Sequence, residues 1–201
     1  MKVLALETSS ASAGVAVARD GQVIAARRFV APRGRGAELF AILEEMRGFW
    51  RDADRLAVGV GPGSYNGLRV ACAVAGSMQM ALGMELVTAP SCCLLDVSAE
   101  HYRAMGDARG GRVWLAEVAR RQLAGEIELL TPDEGLERAR ASDVPVFRTG
   151  EVPGFDEFPA ACPDATALAL LAPALSPVDP SRLEPIYLKP PHITLPRTAR
   201  P

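Results

Sequence analysis

Histidine is almost missing from this chain: of 201 residues only His101 and His192 are of that type. They are far apart, and neither sits in a His-x-x-x-His or His-x-Glu pattern, so no built-in metal site is expected. The same scarcity leaves any serine nucleophile without a sequence-evident base. Lysine is equally rare. It occurs only at positions 2 and 189, so arginine supplies 20 of the 22 basic residues. Arginine suits bidentate carboxylate or phosphate contacts, but a compositional bias explains the excess better than function does. Net charge is only −2, which rules out a global basic field for nucleic acid and makes any RNA contact local or supplied by a partner. The four cysteines, Cys72, Cys92, Cys93 and Cys162, lack C-x-x-C spacing, and the adjacent pair is poorly suited to an ordinary bridge. A reducing, cytoplasmic setting fits that usage. No window reaches the roughly eighteen uninterrupted apolar residues of a membrane helix. The start of the chain resembles a secretory leader, with Lys2 and an Ala16-Val17-Ala18 site, but Glu7 and the run Thr8 to Ser12 break the apolar stretch too early.

What is abundant is apolar content, 49% of the residues, enough for one large domain or two small lobes. Strands are expected at 2–6, 13–18 and 22–28, the last two joined by the hairpin signal Asp20-Gly21. Leu39, Ile42, Leu43, Met46 and Phe49 form one stripe of a helix from about 36 to 51. A buried strand follows at 56–60, then a glycine-rich turn, an alanine- and glycine-rich helix to about 82, a strand at 86–88 and a helix from 91 to 105. Beyond it, strands are expected at 112–119, 126–130 and 144–148, with a helix after Pro132-Asp133 and a small one at 165–172. Prolines from Pro153 onward imply loops, and the tail after Lys189 reads as irregular. The expected class is α/β, an RNase H-like layout with helices covering mixed sheets. Two lobes are expected, 1–105 and a smaller 106–201.

The stretch Val58-Gly59-Val60-Gly61-Pro62-Gly63-Ser64-Tyr65-Asn66-Gly67-Leu68-Arg69 carries the most information. It joins a strand to a helix whose first N–H groups could hold an anion, a substrate or a partner loop. It is neither a dinucleotide fingerprint nor a P-loop, because the third glycine is out of register and no Gly-Lys-Ser/Thr follows. A tight connection relieved by glycine, with Ser64 or Asn66 as a plain helix cap, stands beside the binding reading.

Four segments in order resemble one family: Met1 to Ser10, the turn Gly61 to Arg69, Asp107-Ala108-Arg109-Gly110-Gly111-Arg112-Val113-Trp114, and Pro185-Ile186-Tyr187-Leu188-Lys189. Together they resemble the TsaB (YeaZ) family, glycoprotease-like bacterial proteins required to make threonylcarbamoyladenosine in tRNA. The resemblance spans almost the whole chain, and the Gly-Pro-Gly-Ser-aromatic-x-Gly-Leu-Arg signature is its specific part. It implies a two-lobed actin-like ATPase fold with a reduced second lobe. It also implies a non-catalytic subunit that dimerises with the catalytic paralogue TsaD and activates it, alongside a TsaE-type ATPase. This chain would meet tRNA through the complex and form a homodimer when alone.

The resemblance points to no cofactor held tightly by this chain and leaves ATP or ADP at the complex interface open. Glu7, Thr8, Ser64, Asn66 and Arg69 are the candidate cofactor-side residues. Glu7 stands where the family usually has aspartate, a departure that favours a structural role at the lobe junction. The expected partner face is Leu39, Leu43, Met46, Cys72, Ala75, Gly76, Met78 and Gln79. Small pairs four apart, Ala71 with Ala75 and Cys72 with Gly76, let another helix approach, and Phe40, Phe49, Trp50 and the methionines exceed what one buried face needs. A His-Ser-Glu element common in the family reads Arg33-Gly34-Arg35-Gly36-Ala37-Glu38 here, keeping only the glutamate. Arg27, Arg28, Arg33 and Arg35 form the one basic cluster, read as a solvated loop in preference to a tRNA contact. The rival readings are a stand-alone actin-like ATPase, a glycoprotease-type peptidase and a self-contained homodimer.

Overall fold

A computed structural model describes residues 1–30 and 37–188. Arg33, Arg35, His192 and the tail from Lys189 lie outside the described residues. The first sheet combines β1 (Lys2–Glu7), β2 (Ser12–Arg19), β3 (Gln22–Val30), β4 (Arg55–Gly59) and β5 (Glu85–Ala89) in the order β3-β2-β1-β4-β5. The first three are antiparallel and the last two join in parallel. That mixed order is the RNase H-like one. Asp20 and Gly21 both take positive φ, 49° and 79°, as a two-residue hairpin demands.

Alternation along the strands splits this sheet into two unlike faces. Leu4, Leu6, Val15, Val17, Leu56 and Val58 point to one core, and Val3, Ala5, Ala16, Ala18 and Ala57 to the other. The bulky face is covered by α1 (Ala37–Glu45), α2 (Arg47–Trp50) and α3 (Tyr65–Leu82). One continuous helix was expected over the first two. It breaks at Met46, which adopts φ −87° and ψ 4°, and the Leu43 carbonyl accepts from Trp50 Nε1 at 2.8 Å. An indole N–H thus meets one of the orphan carbonyls at the end of α1. α3 ends at Gly83, in the left-handed region at φ 69°, whose N–H reaches the Gln79 carbonyl.

The second sheet holds β6 (His101–Arg109), β7 (Arg112–Ala119), β8 (Gln122–Leu123), β9 (Glu128–Leu130) and β10 (Val146–Arg148). The helix expected over 91–105 is not formed. Ser91–Leu94 makes a short 3-10 turn, and from His101 the chain is a strand paired with β7. Tyr102 and Ala104 face one core while Met105 joins the other, a period of two that the helical reading overlooked. α4 (Pro132–Arg140) opens with a full capping box from Thr131 and Glu134.

The expected division at 105/106 falls inside β6, and the packing divides the chain differently. α5 (Ala165–Leu171) returns to the first sheet, where Ala165, Leu168, Ala169 and Ala172 fill the alanine-lined face. Short side chains on both partners allow that close approach. Arg55, buried beneath, donates to the carbonyls of Ala172 (2.7 Å) and Leu175 (3.1 Å) and pairs with Glu85. A cation at the end of α5 suits the helix dipole there. Val178, Leu183 and Ile186 then pack on the first core.

Candidate functional site

β1 delivers Glu7 to the middle of the molecule, fully buried. Its Oε1 accepts from the Ser9 N–H at 2.7 Å and its Oε2 from Ser91 Oγ at 2.8 Å. Ser91 Oγ in turn accepts from the Gly61 N–H at 2.9 Å. Burial pushes the Glu7 carboxyl up from its ordinary range, and the Ser9 and Ser91 hydrogen bonds oppose that shift. Glycine at 59 is required by the same packing, since a Cβ there would lie 1.8 Å from Glu7 Oε2. The carboxylate therefore ties β1, the signature turn and the 3-10 turn together.

The turn itself is filled by the chain's own backbone. The Ser64 N–H donates to the Ser9 carbonyl at 2.6 Å, and Thr8 Oγ1 donates to the Gly67 carbonyl at 2.8 Å. A Cβ on Gly63 would lie 2.2 Å from the Ser9 oxygen, and one on Gly67 2.1 Å from the Thr8 oxygen. Gly61, at φ 94°, adopts a conformation that favours glycine. Ser64 is the N-cap of α3, its Oγ accepting from the Gly67 N–H at 3.3 Å. Glu7, Thr8 and Ser64 are thus brought together, but Glu7 and Thr8 aim inward. Asn66 and Arg69 sit apart on the exposed start of α3. Arg69 NH1 donates to the Tyr65 hydroxyl at 2.9 Å, with the guanidinium 5.2 Å from that ring's centre, and Tyr65 meets Tyr187 at 5.5 Å between centroids.

A groove of about 440 Å³ runs between α1 and α3, lined by Phe40, Leu43, Trp50, Val70, Ala73, Val74 and Met78, with Glu44 and Ser77 also at its wall. Phe40 is 58% exposed, and Met80, on α3 but outside the groove lining, is 86% exposed. The expected partner face needs correction here. Leu39, Met46, Cys72 and Ala75 belong to the first core beneath the helices, so the stripe that sequence marked is largely the sheet-facing one. Leu43, also in that core, reaches the groove. Gly76, Met78 and Gln79 remain half-exposed on α3. Val70, Ala73, Val74 and Ser77 were missed, although their i, i+3, i+4, i+7 spacing marks a second helical face.

His101 lies in β6 and not in a helix; it is exposed and sits 2.9 Å from Glu117. Arg27 pairs with Glu45, and Arg28 bridges Asp96 (2.9 Å) and Asp164 (3.0 Å), so the described half of the basic cluster is paired with carboxylates. Among the described residues no helix is long and apolar enough to cross a membrane.

Sheet order, the two-faced first sheet and the inward-facing turn define an α/β protein of the RNase H-like, actin-like class. Residues 39–125 match a family model described as TsaD, tRNA N6-adenosine threonylcarbamoyltransferase. YeaZ from Pseudomonas aeruginosa is similar at 26% identity and a TM-score of 0.73, over 93% of this chain and 99% of that one. Another Pseudomonas aeruginosa structure, a protein similar to peptidase YeaZ, aligns at 24% identity and a TM-score of 0.74, over 94% and 99% of the two chains, and shows the fold alone. The tRNA threonylcarbamoyladenosine biosynthesis protein TsaB of Bacillus subtilis strain 168 is 25% identical over 164 residues, covering 75% of this chain and 71% of that protein. Together these likenesses support a relation of this chain to the TsaB (YeaZ) proteins.

Proposed function

We propose that this chain is a non-catalytic subunit in the synthesis of threonylcarbamoyladenosine in tRNA, pairing with a TsaD-type enzyme and holding it in an active form. The likeness to the TsaB and YeaZ proteins supports the pathway. The observation that supports the pairing is the groove between α1 and α3, where exposed Phe40 and half-exposed Met78 line a mostly apolar surface whose one charged wall residue is Glu44. An amphipathic helix laid into such a groove buries these side chains without an unpaired ion. The same surface serves a homodimer when the chain is alone. ATP or ADP, a TsaE-type ATPase and tRNA belong to the assembled complex in this reading, and cytoplasmic residence goes with it.

The rival enzyme readings find weak support in the geometry. Ser64 is engaged as a helix cap, His101 lies on the other sheet against Glu117, and Glu7 is sealed beneath Gly59. Affinity capture with the cognate TsaD-type protein tests the proposal: the full chain should retain it, and Phe40→Glu or Met78→Glu should release it. Retention by both folded variants at parental affinity would overturn the pairing face.

A further inference from the structure

The segment Pro185–Leu188 is four residues long, yet it touches both halves of the molecule. Pro185 is buried, and the Ile186 N–H donates to the Val60 carbonyl at 2.8 Å while its side chain joins the first core. Leu188 packs instead on the core of the second sheet, the one holding Tyr102, Trp114 and Val118. Upstream, the Val178 N–H donates to the Leu86 carbonyl and Pro177 bridges to Val87, so the approach is fixed along β5. Tyr187 lies between the two anchors and turns outward onto Tyr65, the first residue of α3, with the rings tilted by 44°. Arg69, one turn further along that helix, closes the stack through the Tyr65 hydroxyl and ring.

The buried side of the start of α3 is held by Leu68 and by the hydrogen bonds of Thr8 and Ser9, while the Tyr187 stack braces its exposed side. Val70, the first α3 residue of the groove, follows Arg69 directly. We propose that Tyr187 is a positioning residue for the α3 wall of the partner groove, acting through Tyr65 and Arg69. A shift in the second sheet then reaches the groove through Leu188, Tyr187 and Tyr65. The inference rests on the reading that the groove receives a partner helix.

The test compares the full chain with Tyr187→Ala, Tyr65→Ala, the double variant and Tyr187→Phe, titrated with the TsaD-type protein. Amide exchange of each free chain is followed in parallel. Each alanine variant should bind at least about fivefold more weakly, and the double variant no more weakly than the worse single one. Tyr187→Phe should match the parent. Amides of Leu68 to Val70 should exchange faster in free Tyr187→Ala, while β1 and β4 keep their protection. Additive losses with unchanged exchange would make Tyr187 a direct contact and overturn the positioning role. Parental affinity of Tyr187→Ala, with Met78→Glu unable to bind, would overturn it while leaving the pairing face intact. Parental affinity of Met78→Glu would remove both. If Tyr187→Ala does not fold, Tyr187→Leu, which keeps apolar bulk, is read by the same criteria.

Discussion

Gly67→Ala and Gly76→Ala are the same substitution in the same helix, and the structure gives them opposite signs. At position 67 the new methyl would sit 2.1 Å from the Thr8 carbonyl oxygen, deep inside van der Waals contact. That oxygen belongs to the backbone just after β1, so it cannot rotate away as a side-chain end could. Relief requires the start of α3 to move off Thr8, which also loosens the 2.8 Å hydrogen bond from Thr8 Oγ1 to the Gly67 carbonyl. Overpacking costs about 1–3 kcal/mol and a weakened hydrogen bond about 0.5–1.5 kcal/mol. At roughly 2–4 °C per kcal/mol for a chain of this size, Tm should fall by roughly 5–15 °C. At position 76 a Cβ meets nothing within 4 Å, and alanine is the better helix former by about 0.5–1 kcal/mol. Tm should there rise by about 1–4 °C. Differential scanning calorimetry of both variants at one protein concentration is the assay. A Gly67→Ala chain melting within about a degree of the parent would refute the claim that the turn is closed against Thr8 and Ser9.

Glu7→Gln tests the sealed carboxylate. Because the folded pKa of Glu7 is raised above its ordinary value of 4.5, its contribution is fully present below that value and is lost as pH rises through the folded pKa. Glutamine escapes this loss, so the variant should gain on the parent as pH rises above 4.5 toward the raised folded pKa, and parallel melting curves would contradict the assignment. Phe40→Glu and Met78→Glu should fold by circular dichroism yet bind the TsaD-type protein at least about tenfold more weakly, since each puts a carboxylate into a desolvated contact. The purified chain should hydrolyse neither ATP nor peptides; ATP turnover that disappears in Glu7→Ala would reverse the non-catalytic reading.

Much of this architecture is legible in the sequence, because period and punctuation are local. Asp20-Gly21, the strand before Gly61 and the cap at Ser64 declare themselves within a few residues. Residues 91–105 mislead for a physical reason: Cys92, Cys93, Leu94 and Leu95 are all buried, and an apolar run covered on every side has no period to read. The Leu39, Leu43, Met46 stripe misleads differently, as a core face and a partner face are equally apolar in one dimension. Arg55 and Arg28 were invisible as structural residues because their partners, Ala172, Leu175, Asp96 and Asp164, are distant in sequence. So was the pairing of Tyr65 with Tyr187, each of which belongs to a recognisable motif that gives no hint of the other.

The return of α5 to the first sheet has a consequence for how the chain is made. β4 ends at Gly59 and α5 begins at Ala165, so the alanine-lined face of the nascent sheet waits for about a hundred further residues. At roughly 5–20 residues per second this interval lasts on the order of 5–20 s. During vectorial synthesis an N-terminal half could pair its strands but would leave one flat apolar side open to neighbouring nascent chains. Completion of that core therefore waits until α5 has been made, and a chain truncated before Asp164 should depend on chaperones or aggregate, however intact its signature turn.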